Sequence, residues 1–224
     1  MATQEISDIV DRAELVLRTA YAGLDMMRLS SGAKKDLGLR NVLTFGRSVT
    51  FVIQNLSSKS ERFEEWYKPH QDRLKADPVF SFFRDARNNL EKQGRLEIAT
   101  SAHIVSFGDE EMKALSADKP PGAIAFFIGD QLGGSGWEVP LPNGEKLKYY
   151  VEMPSDIAVV EQSFVGSLAE KYLSDNKQTT LELCEQYLAA LSDIVDSARE
   201  YFLAQPAAQL YRGTRLPPYI KVIK

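Results

Sequence analysis

Few side chains in this sequence could do chemistry, and its only two histidines, His70 and His103, come first. A metal site of the usual kind needs about three or four convergent His, Cys or carboxylate ligands. The chain has no HExxH, no CxxC and no close pair of histidines, so it predicts neither a metal nor a cofactor. A Ser-His-Asp triad can be assembled from residues far apart in sequence, but no GxSxG supports one here. The run Gly129-Asp130-Gln131-Leu132-Gly133-Gly134-Ser135-Gly136 is rich in glycine. It lacks the Lys-Ser/Thr of a phosphate-binding loop and leads into a strand, with no helix N-terminus to receive phosphate. It reads as a flexible loop. Cys184 falls in an apolar helical stripe, where a thiol acts as a small hydrophobe. His70, beside aromatic residues, reads as an interior or interface residue, and His103, inside a strand, as structural.

What remains is cationic. The segment Phe82-Phe83-Arg84-Asp85-Ala86-Arg87-Asn88-Asn89-Leu90-Glu91-Lys92-Gln93-Gly94 carries three of the basic residues. Arg87 and Glu91 stand at i and i+4, the spacing of a solvated helical ion pair worth about 0.2–0.5 kcal/mol. Asn88 and Lys92 share a face by the same spacing. On an earlier helix Arg40, Thr44 and Arg47 line one side together.

The elements that position these residues belong to a globular chain. Of 224 residues, 44% are hydrophobic and 26% charged, and at this length a core is sustainable without staples. A single domain over 1–224 is the simplest reading. The lone cysteine permits no internal disulfide and suits a reducing compartment. No apolar run approaches the ~20 residues that span a bilayer. The first residues lack the basic and apolar regions of a signal peptide, so no membrane partner and a cytoplasmic location are expected. A net charge of −4 gives no global attraction to nucleic acid, so any such binding must be local.

The first helix is expected from about Ile6 to Leu29, on a stripe that includes Ile9, Val10, Ala13, Leu17, Leu24 and Met27. Ser30-Ser31-Gly32 closes it, and Lys34 to Gly38 reads as a linker. The second helix, Leu39 to Leu56, is apolar on more than one side, as Phe45, Phe51 and Val52 lie outside its core face. Ser60 is placed to cap a third element bearing Phe63, Trp66 and Tyr67, which Pro69 should end or kink. Asp77-Pro78 opens a fourth helix and Gly94 closes it. From 96 to 154 a β-rich insertion is expected. Ala99 to Phe107 and Ala123 to Ile128 read as strands, and Trp137 to Leu141 forms a hairpin with Lys146 to Met153 through Asn143-Gly144. Lys146 to Met153 alternates as a half-buried strand does, with Leu147, Tyr149, Val151 and Met153 on one face. Helix returns from Asp156 to Leu173. The capping box Thr179/Glu182 then starts a strong helix to about Ala204.

An Arg-Asn step late in a helix, at Arg87-Asn88 on a bundle of about five helices, resembles the HEPN superfamily of helical nucleotide-binding domains. The order of elements is similar too: two long helices, the aromatic stretch Phe63-Glu64-Glu65-Trp66-Tyr67, the motif helix, then a long C-terminal helix. The resemblance covers the bundle, 4–94 and 156–205, and looks closest to bacterial HEPN-like proteins. It implies a mainly α fold, a HEPN-like helical bundle with a small antiparallel β insertion. It implies a homodimer that pairs motif helices, with Arg87 on a phosphate. The family's histidine is replaced by Lys92, which is protonated near neutral pH and a poor general base, though still able to hold phosphate as a point charge.

The reading that follows is a HEPN-like homodimer binding RNA, a nucleotide or a protein partner encoded nearby, without efficient catalysis. Its site would comprise Arg87, Asn88 and Lys92, a degenerate ribonuclease motif, with Arg40, Arg47, Arg84 and His70 as phosphate or partner contacts. Two alternatives stay open: a metal-independent ribonuclease working through Arg87 and Lys92, and a structural interaction module that uses the β hairpin and the tail. The tail, 206–224, is basic and aromatic, fit either for RNA phosphates and bases or for packing as an arm.

Overall fold

The computed structural model describes residues 2–174 and 177–203, with short backbone pairs at Leu210–Tyr211 and Thr214–Arg215. The rest of the expected basic tail lies outside the described residues. The architecture is mainly α with small antiparallel sheets.

Two long helices, α1 (Ala2–Leu29) and α2 (Ala33–Gln54), pack along each other, and α7 (Thr180–Leu203) lies against both. The apolar stripe of α1 is buried from Ile9 to Met27 as its spacing requires. The stretch from Lys34 to Gly38 is no linker, because α2 already begins at Ala33 and buries Gly38 and Leu39. The chain turns at Ser30-Ser31-Gly32 alone.

The third helix, α3 (Phe63–Ala76), runs unbroken through Pro69. Proline inside a helix costs ~3 kcal/mol or more by removing one donor and crowding the preceding turn. The carbonyl it orphans belongs to exposed Glu65, and Phe63, Trp66 and Tyr67 are all buried against the bundle. Packing outweighs the local defect. Ser60 does not cap this helix: Arg62 occupies the cap position without a side-chain bond.

The fourth helix, α4 (Pro78–Gln93), forms as its local signals dictate. The Asp77 carboxylate accepts from the Val79 N–H at 2.8 Å, Pro78 sits in the first turn, and Gly94 ends the helix at φ 70°. Its inner face buries Val79, Phe82, Phe83, Ala86 and Leu90.

The β-rich stretch runs further than 154. Strand β1 (Ile98–Ile104) pairs antiparallel with β5 (Ala158–Phe164), where a helix from Asp156 is expected from the sequence. The β-branched pair Val159-Val160 favours strand, and a distant partner supplies the ladder. Only α6 (Gly166–Leu173) of the expected helix is helical. Between these strands lie α5 (Asp109–Ser116), which the sequence reading did not expect, and a sheet of β2 (Ala125–Phe127), β3 (Ser135–Pro140) and β4 (Lys146–Val151). The register Trp137↔Tyr149 and Val139↔Leu147 places the turn at Asn143-Gly144 as expected. The alternation of β4 is real but its apolar face is not half-buried: Leu147 is 52% and Tyr149 46% exposed. Only Val151 and Met153 reach the small core of Leu115, Ala123, Trp137 and Ile157.

The box at Thr179 is present in both directions: Glu182 accepts from the Thr179 N–H at 2.8 Å, and its own N–H donates to Thr179 Oγ1 at 3.2 Å. Cys184 is fully buried, and burial pushes its thiol up, so it is core.

Candidate anion-binding cavity

Helices α2, α3, α4 and α7 line an open cavity of about 190 Å³. Three cations line it: Arg47 from α2, Lys75 from α3 and Arg84 from α4. The other polar lining groups are neutral, among them Gln54, Gln71 and Ser81, and the lining contains no carboxylate and no histidine.

The partners of the three cations differ. Arg47 Nη1 donates to Thr50 Oγ1 at 2.9 Å, and its guanidinium lies 4.4 Å from the centre of the Phe51 ring. Lys75 Nζ donates to Gln71 Oε1 at 3.0 Å. Neither therefore has a carboxylate partner among the described residues, Arg47 being half-buried and Lys75 exposed. Arg84 Nε donates to Asp85 at 2.8 Å, and that bond, with one from Tyr172 Oη at 2.8 Å, holds the Asp85 carboxyl below its ordinary range. Asp85 itself does not line the cavity.

Two phenols face the same space. Tyr67 Oη accepts from Gln54 Nε2 at 3.1 Å, which leaves its own proton to donate. Tyr187 is 3% exposed, stacked on Phe83 at 4.3 Å and 4°, and its hydroxyl has no hydrogen-bond partner among the described residues. Burial pushes this phenol up, partly offset by Arg47 and Arg87, so it stays protonated as a donor. Gly46 makes room for it: a Cβ there would meet Tyr187 Cε1 at 2.5 Å. A mid-helix glycine is unfavourable by ~1 kcal/mol against alanine, and here the local loss admits the ring.

The structure brings together only two of the residues expected from the sequence, Arg47 and Arg84. Arg87 is 21% exposed and paired with Glu91 at 2.6 Å, as the spacing of four allows, and its Nε is buried without a partner among the described residues. Lys92, five residues on, is rotated roughly 140° from it about the helix axis and is exposed with Asn88. Arg87 and Lys92 thus do not converge. Arg40 binds Asp36 at 2.7 Å and the Gly94 carbonyl at 3.0 Å, tying the start of α2 to the end of α4. His70 does not line the cavity; it turns to α7, its ring 5.0 Å from that of Trp66 and its Nε2 3.2 Å from Ser197 Oγ. Burial, and then Arg73, lower its pKa. Lys75, Tyr67 and Tyr187 were missed from sequence; the available signal was Gly46, small in the middle of an otherwise bulky helix.

A second cavity, of about 220 Å³, lies on the opposite face of α4. Phe82, Asn89, Gln93 and Phe164 line it with Arg95 and Glu97, so cation and carboxylate are both present. Among the described residues no group of three or more His, Cys, Asp or Glu could hold a metal ion, and no helix is long and apolar enough to cross a membrane.

Residues 36–114 match the family model described as bacteriophage lambda protein ea47. The particular relative is protein ea47 of Escherichia phage lambda, 34% identical over 67 residues. That stretch is 30% of this chain and 16% of the relative, so the likeness is to a small part of a longer protein. No solved structure matches. The expected resemblance to the HEPN superfamily is overturned, for the segment that carried it falls in the ea47 match. With it fall the bacterial HEPN-like assignment and the degenerate ribonuclease motif, whose Arg87 and Lys92 point apart. The window from 36 to 114 contains Arg47, Lys75 and Arg84 but not Tyr187.

Proposed function

We propose that the chain binds the phosphate of a nucleotide or an RNA in the cavity between α2, α3 and α4. The observation that carries this reading is charge without compensation. Half-buried Arg47 and exposed Lys75 line one cavity and meet only neutral partners. A bound anion would supply the missing charge, and charge-assisted bonds to phosphate are the strong ones. The lining supplies donors and cations but no general base, which favours binding over hydrolysis.

Fluorescence anisotropy with a labelled single-stranded RNA tests it. Affinity should fall as salt rises, because each neutralised phosphate releases counterions. Arg47→Ala and Lys75→Ala should each weaken binding by about 1–2 kcal/mol, with unchanged helical circular dichroism. Lys92→Ala, on an exposed face outside the cavity, should do nothing. Equal affinity in wild type and Arg47→Ala, or binding that depends on Lys92 instead, removes the cavity from the explanation.

A further inference from the structure

The shape and charge of the cavity narrow what can enter it. At about 190 Å³ it lies below the size of ordinary small-molecule sites, roughly 300–1,000 Å³, so one group of a larger ligand fits and a whole base with its sugar and phosphate does not. The most deeply buried part of its wall is the Tyr187 phenol, 3% exposed and without a hydrogen-bond partner for its hydroxyl among the described residues. A space this small takes the end group of a chain more easily than a strand running through it. The charge agrees. A phosphodiester carries one negative charge, while a phosphate monoester carries about −1.5 to −2 at neutral pH and three acceptor oxygens. Two lining cations without a carboxylate partner, Arg47 and Lys75, together with the donors Tyr67 and Tyr187, match the second in both charge and number of donors.

We infer that the cavity captures a terminal phosphate monoester, with Arg47 and Lys75 neutralising the dianion and the buried Tyr187 hydroxyl donating to it. This rests on the phosphate-binding reading above. Gly46 then has a role beyond packing, because the space it leaves against α2 sets where the phenol stands. Arg87 takes no direct part: its guanidinium is held by Glu91 and acts only as a nearby positive charge on the Tyr187 ring.

The test compares one oligoribonucleotide in three forms, 5′-phosphorylated, 3′-phosphorylated and hydroxyl-ended, bound to the full chain. At least one phosphorylated form should bind about tenfold or more tighter than the hydroxyl-ended one. Tyr187→Phe keeps the stack on Phe83 and should shrink that preference severalfold without altering thermal unfolding much. Competition by adenosine 5′-monophosphate would assign the source to free nucleotides, and competition by the phosphorylated oligonucleotide alone to RNA ends; either supports the monoester. If all three forms bind equally and Arg47→Ala still weakens them, the cavity binds phosphate but the end-specific inference is overturned. If none binds, the phosphate reading itself fails.

Discussion

The bundle and the β-rich stretch 98–164 are built on opposite terms. In the bundle one continuous core joins α1, α2, α3, α4 and α7, with Phe83, Leu24, Leu43, Ile53 and Leu191 essentially dry. The sheet of β2, β3 and β4 stands over a core of four residues, and the β-rich stretch as a whole leaves Ile104, Val105, Phe107, Ile124 and Leu147 exposed. Small sheets of two or three strands are marginal alone. The ribbon of β1 and β5 is fastened to the bundle by Phe164, which packs on Phe82 at 4.6 Å and belongs to the main core. The sheet has no such anchor of comparable size. Its own strands are tied together by polar links at Asp130, and the Tyr150 ring lies against Gly32 of the bundle. The difference teaches where a binding site can be stored: the cationic cavity sets a buried phenol, Tyr187, beneath Arg47, Lys75 and Arg84, and only the heavily packed region can hold such a group in place.

The two tryptophans report on the two regions separately, Trp66 in the bundle and Trp137 in the small core. Phe83→Ala should have the largest effect, lowering bundle stability by about 3–5 kcal/mol as a buried aromatic lost to a cavity. Followed through Trp66 and circular dichroism, the denaturant midpoint should drop steeply. Trp137→Ala should leave the Trp66 midpoint nearly in place while the β stretch loses amide-exchange protection. If the two substitutions move the Trp66 midpoint alike, the chain is a single cooperative unit and the contrast dissolves.

Acid should sharpen the comparison next. Burial would raise the Asp130 carboxyl. Bonds from Lys148 at 2.8 Å, from Tyr150 at 2.7 Å and from the Gly134 and Leu132 N–H groups outweigh this and hold it below its ordinary value. The same contact, after burial, pushes Tyr150 up to about 12. A carboxyl whose folded pKa is depressed contributes stability that is present above its unfolded value of about 4 and is lost as pH falls through the folded one. Trp137 fluorescence of a Trp66→Phe variant should therefore change on acidification before helical circular dichroism does. Asp130→Asn should remove about 2 kcal/mol from the β stretch at neutral pH, the scale of a bond to a charged group, and flatten that acid response. Simultaneous loss of both signals in wild type counts against it.

Gly46→Ala should give the smallest shift. Alanine gains ~1 kcal/mol of helix propensity, but its Cβ meets Tyr187 Cε1 at 2.5 Å, and overpacking of this kind costs about 1–3 kcal/mol. A net loss of about 1 kcal/mol is expected in thermal unfolding, with phosphate binding reduced more than stability. A stabilised variant that binds normally would mean that the phenol is free to move aside.

What the sequence determined by itself is whatever depends on residues within about one turn of each other. The stripe of α1, the Asp77-Pro78 start and Gly94 stop of α4, the Thr179/Glu182 box and the turn at Asn143-Gly144 all follow from local geometry, and all are present. So is the mainly α character of the chain. Even Pro69, the strongest local breaker, was overruled only because Phe63, Trp66 and Tyr67 have a distant surface to bury against. The tertiary structure alone decided the rest. Strand β5 exists because β1 lies some sixty residues earlier in the chain, and no period within 156–173 encodes that partner. The cations the sequence singled out separated by the same logic: Arg87 took a neighbour four residues away, while Arg47 met Lys75 and Tyr187 across three helices. A motif read along one helix fixes which residues share its face. Which faces meet around an empty, charged space depends on how four helices pack, and that is a sum over contacts that no single segment contains.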